Sequence, residues 1–181
     1  MTEKLIPLYR ERESYTLFYE QDKNVIYKLQ HRNKSFGSFF IFILAMLWLS
    51  SMLDNFYQKY QTTSLDITIF IFALGITYYV SKKFYNAYYQ QETKREMIVD
   101  KDDMEKYATK GLKQLKIEFY SSIVILPISI LFFMIFFTTS QIAPMIIGCI
   151  SLGAAFIIIF MKSLSRKRIL NQFENRMIDI L

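Results

Sequence analysis

From Phe119 to Met161 the chain runs for about 43 residues without a charged side chain, enough to cross a bilayer twice at about 20 residues per crossing. Such a run must turn near its middle, and Thr138, Thr139, Ser140, Gln141 and Pro144 supply the polar and helix-interrupting residues. Two helices are therefore expected, Phe119 to Phe137 and Ile142 to Met161, because in hydrocarbon each backbone amide needs a partner within its own helix or a closed barrel. The alternation of a barrel strand is absent. The first half repeats the plan. An uncharged stretch from Ser35 to Leu53 is followed by a polar connector with Asp54, Asn55, Gln58, Lys59 and Gln61, then by a second apolar stretch, Ile67 to Ser81. That stretch reaches spanning length if its helix begins near Ser64, with Asp66 at one edge and Tyr78 and Tyr79 near the opposite interface.

The expected fold is all-α, a polytopic membrane protein with four transmembrane helices arranged as two hairpins. Its segments are 1–35, an amino-terminal cytoplasmic segment; 36–81, the first hairpin; 82–118, a mostly helical connector; 119–161, the second hairpin; and 162–181, an amphipathic tail. Orientation follows from the cations, since lysines and arginines of short loops stay cytoplasmic. All but Lys59 of the 22 fall before the first crossing, between the second and third, or after the fourth. Both termini are expected in the cytoplasm. The formal charge of +6 then reflects topology and attraction to anionic lipid headgroups rather than nucleic-acid binding. The charged first 35 residues argue against a cleaved signal peptide. Richness in Lys, Ile, Phe, Tyr and Asn fits an AT-rich bacterial genome, and hence a plasma-membrane location in a bacterium.

Three segments outside the hydrocarbon carry the remaining information. In the first, Tyr15 to Glu20 and Val25 to Gln30 flank a turn-like Gln21, Asp22, Lys23, Asn24 and are compatible with a hairpin. A helix capped by Ser14, with Leu17, Phe18, Gln21, Val25, Leu29 and Arg32 along it, is the preferred expectation, because a lone hairpin is marginal in water. In the connector, Asp102 with Glu105 resembles a capping box, and Met104, Ala108, Leu115 and Phe119 keep helical spacing. Lys82, Lys83, Arg166, Lys167 and Arg168 are expected at anionic headgroups. In the tail, Leu170, Phe173, Met177 and Ile180 form an apolar stripe that suits either a partner or the chain's own connector. Cys149 with Gly153 and Ser151 with Ala155, each at four-residue spacing, are expected to let the fourth helix pack closely on another.

Catalytic chemistry finds little support. His31 is the single histidine and reads as a surface residue beside Arg32 and Lys34, while the lone Cys149 falls inside an apolar stretch and cannot form an intrachain disulfide. Asp100, Asp102 and Asp103 lack the glycine and terminal glutamate of a calcium loop. Asp66 and Glu118 stand only at expected helix ends, as solvated or dipole-compensating carboxylates. No cofactor is expected. The leading expectation is a non-enzymatic accessory or regulatory subunit of a larger membrane assembly such as an exporter, with the bilayer and a membrane protein or second copy as partners. An immunity protein against a membrane-active peptide or toxin is the alternative, and a small oligomeric channel the third.

Overall fold

Short stretches rich in aromatic and aliphatic residues, buried on both faces, build a sheet in the amino-terminal segment. β1 (Leu5–Glu11), β2 (Tyr15–Glu20) and β3 (Val25–Gln30) form an antiparallel meander, and a two-residue β4 (Arg95–Glu96) pairs with β3, in the order β1-β2-β3-β4. Residues 5–11, 14–31, 36–88 and 95–175 are described by the computed structural model. Phe18 lies opposite Tyr27 and Tyr19 opposite Ile26, across a turn in which Asn24 takes the left-handed conformation (φ 56°) that asparagine tolerates. The β1–β2 register slips between Pro7 and Tyr9, so Leu8 is the extra residue of a bulge. Pro7 is tolerated because β1 is an edge strand.

The helical expectation for residues 15–30 is thus corrected, as is the all-α class. A third strand and apolar cover on both faces supply what an isolated hairpin lacks. On one face Ile6, Leu8, Leu17, Tyr19 and Ile26 meet Met104, Ala108, Ile169, Leu170 and Phe173. On the other, Leu5, Phe18, Tyr27 and Leu29 join Met161, with Val25 and Tyr85 at the margin.

Beyond the sheet the chain is helical: α1 (Phe36–Tyr60), α2 (Thr63–Tyr88), α3 (Lys101–Thr139), α4 (Ile142–Phe160) and α5 (Ser163–Glu174). Among the described residues α2, α3 and α4 are long and apolar enough to cross a membrane. α3 is continuous through Pro127 and starts earlier than the Asp102 box suggests, since the Met104 amide already donates to the Asp100 carbonyl (2.9 Å). The α3–α4 break falls at Ser140, in the left-handed conformation (φ 54°). α4 ends at a similar turn, where Lys162 (φ 52°, ψ 49°) precedes α5.

Two compact units result. One gathers residues 1–33, 84–121 and 157–181; the other holds 34–83 and 122–156. In the first, the sheet packs on the opening turns of α3 and on α5. In the second, Tyr57, Phe136 and Met145 form a core with Leu65, Ile69, Phe70, Ala73, Ile142 and Cys149 around it.

Candidate functional site

The bulge in β1 sets the most elaborate polar arrangement of the sheet unit. A bulged residue loses its place in the ladder, and the Leu8 carbonyl instead accepts from Arg166 Nε at 3.3 Å. The same guanidinium donates through Nη1 to Glu118 Oε2 at 2.6 Å. Arg166 is only 2% exposed, while the Glu118 side chain keeps 23% of its surface. One buried cation therefore ties β1, α3 and α5 together. Gly111 is part of the same junction: a Cβ there would stand 2.5 Å from the Leu8 carbonyl oxygen and 2.9 Å from Leu170 Cδ2, so only glycine lets α3 approach β1 this closely. One turn on, the Gln114 carboxamide accepts from the Arg10 amide at 3.0 Å and donates to the Arg10 carbonyl at 2.6 Å, filling the edge of β1 as a neighbouring strand would.

Beside this junction Tyr9, Tyr15 and Tyr107 cluster. The Tyr9 and Tyr107 ring centroids are 5.5 Å apart, and the Tyr9 hydroxyl donates to Glu11. Burial, reinforced by Glu11, pushes Tyr9 up to about 12; burial and the hydrogen bond with Tyr107 do the same for Tyr15. Both stay neutral at ordinary pH. Lys28 sits 4.0 Å over the Tyr15 ring and Lys110 5.8 Å from that of Tyr9, which are stabilising cation–π geometries.

The helical unit has a polar cluster of its own. Asp66, in the first turn of α2 and 4% exposed, accepts from the Tyr57 hydroxyl and from Gln61 Nε2 at 3.2 Å. Gln61 also donates to the Ser140 hydroxyl, and Asp54 accepts from the Ile142 amide at 2.8 Å, capping α4. The α1–α2 connection and the α3–α4 turn are joined by these bonds. Asp66 is thus buried and hydrogen-bonded rather than solvated, and its place in the first turn suits the helix dipole.

The residues singled out from the sequence separate clearly. Leu170 and Phe173 are buried against the chain's own sheet and α3, so that part of the tail stripe is closed to any partner; Met177 and Ile180 lie outside the described residues. Arg166 is buried in its ion pair and is withdrawn from any headgroup, whereas Lys82, Lys83, Lys167 and Arg168 are exposed. Glu118, expected to be solvated, is its counter-ion. On α4, Ala155 is buried, Cys149 and Ser151 are half-buried, and a Cβ on Gly153 would meet the Ser81 hydroxyl at 3.1 Å. Gly148, not singled out, faces the Phe133 ring, 2.7 Å from where a Cβ would be. His31 is half-buried and bonded through Nε2 to the Thr16 hydroxyl at 2.7 Å rather than standing free at the surface.

The Arg166 junction was missed by sequence reasoning. A basic triplet beside an apolar stretch reads as a headgroup cluster, and only the bulge carbonyl and Glu118, both far away in the chain, single out Arg166. Among the described residues no group of three or more histidines, cysteines or carboxylates is gathered as a metal site. No family model, no curated protein and no solved structure matches this chain.

Proposed function

We propose that this chain is a multi-pass protein of a bacterial plasma membrane, with four crossings in two hairpins and both termini cytoplasmic. It acts by contact, as a non-enzymatic accessory or regulatory subunit of a larger membrane assembly such as an exporter. The observation that supports this topology is the shared core of the sheet unit, which draws on residues before α1, at the start of α3 and in α5. Segments that share one core lie on one side of a bilayer. Each apolar stretch between them must then return to the side it left, which favours two hairpins over any odd number of crossings. All but Lys59 of the 22 lysines and arginines belong to that same side, as cytoplasmic segments require.

Contact as the mode of action is supported by what the helices leave uncovered. Ile41, Leu44, Trp48, Met52 and Phe56 on α1 and Ile71, Phe72 and Ile76 on α2 are all exposed, a surface for lipid or for helices of another protein. The test is the mass and composition of the native complex after mild detergent extraction from its host. A larger membrane protein in fixed stoichiometry is the expected result. Recovery of the chain alone, or only as a homo-oligomer, would overturn the accessory role.

A further inference from the structure

α3 and α5 run antiparallel, with Gly111 against Leu170 and Glu118 against Arg166, and this register sorts their charges by height. At the end far from the apolar stretches the signs are mixed. Asp102, Asp103 and Glu105 stand there with Lys101 and Lys106, the last bonded to Asp103 at 3.1 Å, and Glu174 closes α5. At the near end, once Glu118 is neutralised by buried Arg166, the exposed charges of the two helices are all positive: Lys113 and Lys116 on α3, Lys162 before α5, and Lys167 and Arg168 on it. Apolar side chains stand among them on the same outward faces. Ile117 and Tyr120 follow Lys113 and Lys116 at helical spacing, and Leu164, 87% exposed, is one turn from Lys167 and Arg168.

We infer that the outward faces of α3 and α5 at this end form a collar that docks on anionic phospholipid headgroups, with Leu164, Ile117 and Tyr120 dipping into the interface. The inference rests on the membrane reading above and names the surface that the sheet unit uses. Charge complementarity supports this occupant, and chain continuity fixes its distance. At 1.5 Å per residue Lys116 lies only about 4.5 Å, and Lys113 about 9 Å, along α3 from the start of the apolar run at Phe119. Lys116 is well within the Debye length of about 8 Å at physiological ionic strength, and Lys113 lies close to that limit. α5 begins only Met161 and Lys162 after α4 ends, so Leu164 cannot be far from that level either. Exposed leucine between cations is the pattern of a helix lying in an interface, where basic residues and apolar side chains add.

The test compares the full-length chain with Lys113→Gln/Lys116→Gln/Lys167→Gln/Arg168→Gln, all at exposed positions outside the core. Both are reconstituted in phosphatidylcholine vesicles containing spin-labelled phosphatidylglycerol or spin-labelled phosphatidylcholine, and the motionally restricted fraction of each lipid is read. The native chain is expected to retain phosphatidylglycerol severalfold more than phosphatidylcholine. That preference should collapse in the quadruple variant and in 1 M salt, where the Debye length is about 3 Å. An unchanged preference in a variant with native tyrosine circular dichroism would overturn the collar. So would tight binding of a short nucleic-acid duplex without headgroup preference. Release of the chain by alkaline carbonate without detergent would instead bring down the membrane reading on which the collar rests.

Discussion

Arg166 and Glu118 form an asymmetric pair, and the asymmetry has a measurable consequence. Arg166 is almost fully enclosed, while Glu118 retains contact with solvent. Removing the carboxylate leaves a buried guanidinium with only a neutral acceptor, the Leu8 carbonyl, among the described residues, and an uncompensated buried charge typically costs about 3–5 kcal/mol. Removing the guanidinium leaves a carboxylate that water can reach and a bulge carbonyl without its donor, a loss of about 1–3 kcal/mol. Glu118→Ala is therefore expected to destabilise the sheet unit more than Arg166→Met, although the arginine is the more buried residue. Denaturant unfolding in mild detergent, followed by the near-ultraviolet signal of the core tyrosines, reads the order. Equal or reversed costs would mean that packing rather than charge holds the junction.

At the scale of elements, the apolar helices and the sheet differ in how far local sequence determines them. Phe119 to Met161 has no alternative in hydrocarbon, and the turn near Ser140 is announced by its polar neighbours. The β2 and β3 segments, Tyr15 to Glu20 and Val25 to Gln30, were visible as a candidate hairpin around a turn-like Gln21 to Asn24. What could not be read locally was the choice of sheet over helix, because it depends on β1 and on α3 and α5, whose residues lie up to about 150 positions away. Leu170 and Phe173 show the same limit from the other side. Their stripe was legible and the connector helix was one of its two expected destinations, but the sheet that completes the site was not. Gln114 makes the dependence testable, since its carboxamide is what closes the β1 edge at Arg10. Gln114→Ala should cost about 1–3 kcal/mol through the loss of its two hydrogen bonds to the Arg10 backbone, and should speed hydrogen exchange at the Arg10 amide in particular. Faster exchange spread evenly over β1 to β3 would point to general loosening instead.

For the whole molecule, side-chain packing and topology constrain each other. The sheet unit is closed by three stretches of chain, separated by α1 with α2 and by the apolar part of α3 with α4; in the proposed topology an odd number of crossings in either pair would pull its core apart. Inverting the whole molecule would leave the core intact, and only the cations oppose it, through the usual retention of basic segments in the cytoplasm. Reporter fusions separate the two arguments. Fusions at Gln58 and Gln141 are expected to report an external position, and those at Thr109 and after Leu181 an internal one. If Thr109 and the carboxyl end agree with each other but both prove external, the shared core survives and the charge argument falls. If they disagree with each other, the hairpins themselves are wrong, and with them the requirement that α3 and α5 meet β1 on one side of the bilayer. Adding cations to the proposed outer connections, for instance Gln58→Lys with Gln141→Lys, should then weaken insertion in the native sense without altering the sheet core. In the proposed topology Lys59 is the lone lysine or arginine of the outer connections, so the added cations would be read against a single native one.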